Sequence, residues 1–190
     1  VPLLQPGEKA MADANQGWRV DNAIRVANAT RDLDFILEQP CRTYDECQQV
    51  RRHVAQPMKL DECVTGIDAA QRIVQDRGAE ICCLKISNLG GLSKARRVRD
   101  YLVENRIPVV SEDTWGGEIT TAAVAHFAAS TPEDYLINST DLMNYNTRST
   151  GIGGPTVRDG KLYATDTPGL GVEPDFHSLG PPVASYGSCT

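Results

Sequence analysis

"ICCLKISNLGG", residues 81–91, puts a lysine where the surrounding residues announce an interior. Ile81, Cys82, Cys83 and Leu84 form a short apolar run, Lys85 closes it, and a polar turn leads to Gly90 and Gly91. Lysine is rarely buried without a partner. A buried strand ending in an ammonium therefore calls for a fold that brings carboxylates or chemistry to that strand's end.

The flanking sequence repeats the pattern. AMADAN (10–15), FILEQP (35–40), MKLDE (58–62), PVVSED (108–113) and YLINST (135–140) read as further strands. Helical patterns separate them. VDNAIRVANATRD carries Ala23, Val26 and Ala27 at helical spacing, and LSKARRVRDYLVENR and EITTAAVAHFAAS are further amphipathic stretches. TYDECQQVRRHVA opens with Thr43 as N-cap and Glu46 three residues on, the signature of a capping box. GIDAAQRIVQDRG ends on Gly78, read as a C-cap. Strand and helix alternating every 25 or so residues, roughly, predict βα units and an all-parallel sheet.

Such a sheet is either open and doubly wound or closed into a barrel. An open nucleotide-binding sheet would carry a glycine-rich turn after its first strand, and none is present. Asp13, Glu38, Asp61, Lys85 and Asp113 each end a separate strand. Strand ends lie in a row in an open sheet but ring one mouth in a barrel, where barrel enzymes build their sites. The reading is therefore α/β, the C-terminal part of a (β/α)7β TIM-like barrel, with the first strands absent from this chain. Residues 1–150 form the partial barrel. Residues 151–190, rich in Gly and Pro, form an extended closing segment with one hairpin at TVRDGKLYA, turning at Asp159-Gly160.

At 190 residues the chain can bury a sizeable core. A net charge of −6 argues against nucleic acid or an anionic membrane as partner, and no apolar run is long enough to span a bilayer. No signal peptide is recognisable, and the absence of an initiator methionine reads as a fragment. Cys41, Cys47, Cys63, Cys82, Cys83 and Cys189 show no zinc-type pairing and read as reduced thiols of a cytoplasmic protein.

Taken singly, Asp13, Glu38 or Asp61 is as readily a capping or surface charge as a ligand. Three at the same position of consecutive strands are another matter, because converging carboxylates repel unless a cation lies among them. Oxygen donors without His or Cys suit a hard divalent ion, most simply Mg²⁺. Glu62 is an alternative to Asp61, since alternation along KLDE turns only one of the pair inward.

DANQGW (13–18), LEQP (37–40), LDE (60–62) and LKISNLGGLSKA (84–95), in this order, resemble the enolase superfamily, in its muconate lactonizing enzyme and mandelate racemase branch. The resemblance implies Mg²⁺ on Asp13, Glu38 and Asp61, and Lys85 as an acid/base that works on a carbon α to a carboxylate. It also implies a homo-oligomer, a second lysine from an upstream Lys-x-Lys and an N-terminal capping domain; this chain has neither of the last two. The partner class is a small-molecule carboxylate.

Asp113 would pair with a substrate ammonium, although a carboxylate so near the helix after GG (116–117) also suits the helix dipole. Trp115 would offer a π face, unless it is only a packing residue. A carboxylate and an ammonium together describe an amino acid. The WGG, LEQPC and PGLGV segments resemble relatives acting on proline derivatives, the cis-3-hydroxy-L-proline dehydratases and hydroxyproline betaine 2-epimerases. Thr140 and Asp141, with no tryptophan beside them, fit a secondary ammonium and a ring hydroxyl better than a quaternary cation, which favours the dehydratase. A racemase or epimerase at the same site is the alternative, and a non-catalytic barrel scaffold is the reading from another class.

Overall fold

A computed structural model describes residues 4–5, 8–184 and 186–187; Cys189 lies outside the described residues. Six strands, β1 (Ala10–Asp13), β2 (Phe35–Glu38), β3 (Met58–Leu60), β4 (Ile81–Lys85), β5 (Val109–Glu112) and β6 (Leu136–Ser139), pair in parallel in strict chain order. Between them run α1 (Val20–Ala29), α2 (Tyr44–Arg51), α3 (Ile67–Asp76), α4 (Leu92–Glu104) and α5 (Glu118–Ala129). A doubly wound sheet would reverse its strand order and carry helices on both faces. Here the order never reverses and the helices share one face. The chain is the C-terminal part of a barrel.

Alternation sorts every strand between two environments. Leu37, Met58, Leu60, Cys82, Leu84 and Val109 point outward into one large core with the helices, completed by Ala23, Val50, Ile73, Ala95, Leu102 and Val124. Ile36, Ile81, Cys83 and Val110 point the other way, into a small inner cluster with Met11 and Ile137. Above that apolar floor the inward positions turn polar, with Glu38, Lys59 and Asp61 all buried. The period-2 geometry of a strand thus delivers Lys85, two residues after Cys83, to the inner face.

Local signals hold the helices. Thr43 accepts from the Glu46 N–H while the Glu46 carboxylate takes the Thr43 N–H, so the capping box forms as expected. Val26, expected on the buried face of α1 with Ala23 and Ala27, stays partly exposed. At the end of α3 the expectation needs correction. The left-handed residue is Arg77, with φ 50°, and not Gly78. Gly78 instead makes room for a neighbour: a Cβ there would lie 2.2 Å from the Tyr44 hydroxyl, which would have to shift. After β4, Gly90 and Gly91 adopt φ of 80° and 110°, which lets the chain turn from the strand into α4 at little cost.

The C-terminal segment adds no strand to the sheet among the described residues. β7 (Gly151–Gly153) pairs antiparallel with β10 (Val172–Pro174). β8 (Thr156–Arg158) and β9 (Lys161–Tyr163) make the expected hairpin, with Asp159 and Gly160 at φ of 50° and 71°. This segment packs on α5, fastened where the Thr150 N–H and hydroxyl donate to Glu118 Oε2. A short helix, α6 (Phe176–Leu179), follows. Among the described residues no helix is long and apolar enough to cross a membrane, and Cys41, Cys47, Cys63, Cys82 and Cys83 are free thiols.

A candidate metal and acid/base site at the strand ends

The inner face gathers its charges at the C-terminal ends of the strands. In register, Asp13 lies opposite Glu38, Glu38 opposite Lys59, and Lys85 opposite Glu112. Glu38 and Lys59 form a buried ion pair, with Lys59 Nζ 2.8 Å from Glu38 Oε1. Lys85 Nζ lies 2.6 Å from Asp61 Oδ2, and the Asp61 side chain is only 3% exposed. Cys83 Sγ donates to Glu112 Oε2 at 2.9 Å.

Burial dominates the electrostatics. It pushes the Glu38 carboxyl up to about 7, against the pull of the Lys59 hydrogen bond and charge. It raises Asp61 too, partly countered by Lys85. For Lys85 burial pulls the ammonium down, but the hydrogen bond and charge of Asp61 outweigh it and hold the group above its ordinary value. This arrangement therefore favours the charged ammonium over the neutral amine. Burial likewise drives the Cys83 thiol well up, so it remains a protonated donor.

The residues fit a hard divalent cation. Ligand atoms of Glu38, Asp61 and Cys83 lie within 4.8 Å of one another. Asp61 Oδ1 is buried without a hydrogen-bond partner, the kind of orphaned acceptor that a cation would satisfy. Asp13, Glu38, Asp61 and Glu112 gather around Lys59 and Lys85, and the burial that lifts the Glu38 and Asp61 carboxyls is a cost that a divalent ion among them would relieve. A protonated Cys83 is a poor ligand for such an ion, which leaves the carboxylates.

The expected site residues separate into two groups. Glu38, Asp61 and Lys85 come together. Asp13 ends the neighbouring strand, exposed, with its Oδ1 taking the Asn15 N–H at 2.7 Å, and it stands outside the tight cluster although its charge is felt by Glu38. Between the two candidates for the third ligand, Asp61 shares the pocket with Lys85; Glu62 also has a partnerless Oε2 but is not in the cluster.

Asp113 does not face this group. Its buried carboxylate accepts from the Ser87 N–H, the Ser87 hydroxyl and the Thr114 N–H, tying the loop after β5 to the loop after β4. Its neighbour Glu112 takes the inward position. Alternation applied to the adjacent carboxylates of SED (111–113) was the available signal for Glu112. Trp115 is 61% exposed and leans against Tyr145, ring centroids 5.6 Å apart. Thr140 sits just past β6, half-buried, its N–H donating to the Ser111 carbonyl at 3.2 Å. His53 lies just past α2 and His126 is on α5; neither belongs to the cluster.

The family described as enolase C-terminal domain-like matches residues 3–178. A cis-3-hydroxy-L-proline dehydratase from Roseibium aggregatum is 42% identical over 184 residues, covering 97% of this chain and 50% of that protein. A crystal structure of a mandelate racemase/muconate lactonizing enzyme from Roseovarius nubinhibens ISM is 82% identical, with a TM-score of 0.94 over 96% of this chain and 50% of that one. A member of the enolase superfamily from the same organism, crystallised with magnesium, is 36% identical with a TM-score of 0.90, covering 97% of this chain and 50% of that one. The chain spans about half the length of the relatives it matches.

Proposed function

Because the chain belongs to the enolase C-terminal domain-like family, we propose that it is the metal- and base-bearing half of an Mg²⁺-dependent enzyme that removes a proton α to a carboxylate. The finer reading is a hydro-lyase acting on a 3-hydroxyproline. Asp13, Glu38 and Asp61 would hold the ion. Bound there, Mg²⁺ would supply positive charge to a substrate carboxylate and so acidify its α-carbon.

The observation that carries the reading is the meeting of Lys85 with Asp61, whose second oxygen has no partner. Lys85 Nζ is the group that would move the proton. With Asp61 engaged elsewhere, the ammonium loses the strongest contact that keeps it charged, and burial then works towards the neutral amine against the weaker pull of Glu112. Lys59, opposite Glu38 in register, compensates its charge from the next strand. The acid/base for the opposite face of the α-carbon would come from outside this chain.

A dehydratase is supported by the 42% identity to a cis-3-hydroxy-L-proline dehydratase. An amino substrate also needs an anion to hold its nitrogen. Glu112 faces the inner side, whereas Asp113 is occupied by Ser87 and Thr114, so Glu112 is the better-placed carboxylate. The test is to incubate the intact protein with cis-3-hydroxy-L-proline and with proline in D₂O. Loss of the hydroxyl supports the dehydratase. Deuterium at the α-carbon without water loss supports an epimerase, and neither change supports a non-catalytic barrel.

A further inference from the structure

We infer that Gln39 is a positioning residue that sets the orientation of Asp61, an inference that rests on the reading of Asp61 as a metal ligand. Gln39 follows Glu38 at the end of β2 and is completely buried. Its backbone is held at φ 31°, a left-handed conformation uncommon for a side chain other than glycine, asparagine or aspartate. A residue kept in that region is over-determined by its surroundings.

Those surroundings use the whole carboxamide. Oε1 accepts from the Asp61 N–H at 2.9 Å and from the Cys63 N–H at 3.5 Å. Nε2 donates to the Cys41 carbonyl at 2.9 Å and to Cys63 Sγ at 3.0 Å, with Cys47 Sγ at 3.5 Å. The amide has two donor hydrogens and two acceptor lone pairs, and all are engaged. The main chain of Gln39 spans its neighbours as well: its N–H donates to the Lys59 carbonyl at 3.0 Å, and its carbonyl accepts from the Gln16 N–H at 2.9 Å.

The consequence lies in where β3 stops. Its last strand residue is Leu60, so the Asp61 N–H is the first without a place in the ladder. The Gln39 carboxamide supplies the missing acceptor and fixes the peptide from which the Asp61 side chain leaves. That side chain is the one reaching Lys85 at 2.6 Å. Leucine would fill the space but leave a buried N–H unpaired, and asparagine would fall one methylene short.

The test compares Gln39→Met with Cys47→Ala in the intact protein. Cys47 touches the same carboxamide but not Asp61, so its removal reports packing alone. Three quantities are measured: thermal midpoint, hydrogen exchange of the Asp61 amide, and Mg²⁺ affinity by calorimetry. Gln39→Met should speed Asp61 exchange and weaken Mg²⁺ binding by about tenfold or more, the usual cost of losing a partner behind a metal ligand. Cys47→Ala should lower the midpoint and leave the other two near the parent.

Unchanged Asp61 exchange in Gln39→Met, or equal changes in both variants, overturns the inference. Asp61→Asn is run in parallel. If it weakens Mg²⁺ binding while Gln39→Met does not, positioning is wrong. If it leaves Mg²⁺ binding intact, the ligand reading fails, and Asp61 exchange alone decides the role of Gln39. Should Gln39→Met not fold, Gln39→Glu keeps an oxygen acceptor for the Asp61 N–H while losing the amide donors. Exchange of the Asp61 amide should then stay near that of the parent despite a lower midpoint, and fast exchange would refute the role.

Discussion

Leu84 and Lys85 are consecutive residues of one strand, and they look into two different media. Leu84 enters the core shared with the helices, where apolar side chains from the five helices and the strands close over it. Lys85 enters the inner face, where the apolar floor gives way to Glu38, Lys59, Asp61 and Glu112. The outer face is built for burial, which needs volume and apolarity but tolerates exchange among similar side chains. The inner face is built from charges whose desolvation each partner must offset, so removing one group leaves another exposed to that cost. Apolar packing and the candidate chemistry thus fall on alternate residues of the same strands.

That division can be broken from either side. The largest effect should come from Lys85→Ala in the intact protein. Turnover of an α-amino or hydroxy carboxylate should fall by about 10²–10⁴-fold, the usual cost of losing a general acid/base, while the circular dichroism spectrum stays that of the parent. Turnover within a few fold of the parent would remove Lys85 from the mechanism.

Leu84→Ala should do the reverse. Its side chain is fully buried, and the deletion should cost about 2–5 kcal/mol in denaturant unfolding, with the Mg²⁺ affinity of the folded fraction unchanged. A changed affinity would mean that the two faces are not independent.

Glu112→Gln and Asp113→Asn sharpen the inner face itself. If Glu112 holds a substrate nitrogen, its loss should lower kcat/KM for an amino acid by about 2–3 kcal/mol and affect a neutral 2-hydroxy acid much less. Asp113→Asn should impair both substrates alike, with reduced stability, because its carboxylate ties Ser87 to Thr114. Selectivity appearing in Asp113→Asn instead would return the ammonium to Asp113.

The smaller effects lie at the periphery. Thr43→Ala removes the N-cap of α2 and should cost about 1 kcal/mol by thermal or chemical unfolding. At Glu118 burial raises the carboxyl, but donors from Ser149 and Thr150 outweigh it and hold the group down at about 2. A depressed folded value contributes stability above the ordinary carboxylate range, and that stability is lost as pH falls from about 5 towards about 2. Solvent reaches this half-buried group, so the term is small. The attachment of the C-terminal segment to α5 should weaken over that window by hydrogen exchange, and Glu118→Gln should abolish the pH dependence.

Much of this was legible because its causes are local. Six strands and five helices follow from periodicity, the capping box from two residues three apart, and the hairpin from Asp159-Gly160. Lys85 stood out because an ammonium ends an apolar run. Where local rules were stretched they failed. Gly78 was read as a left-handed cap, yet Arg77 takes that conformation and Gly78 makes room for Tyr44 from another helix. Asp113 was read as facing substrate, yet alternation gave Glu112 the inward place. Nothing in LEQP or in MKL marks Gln39 as the acceptor for Asp61, or Lys59 as the counter-charge of Glu38.

The sequence by itself determined which residues form strands and helices, that the sheet is parallel, and that carboxylates and a lysine end its strands. These depend on side-chain period and on backbone chemistry within a few positions. Only the tertiary structure decided which charges meet. Hydrogen-bond register between strands sets Glu38 opposite Lys59 and Lys85 opposite Glu112, the Lys85 side chain reaches across to Asp61, and Asp113 turns away to Ser87. An ion pair is a contact of a few ångströms across strands twenty or more residues apart, and register, not spacing along the chain, sets that distance.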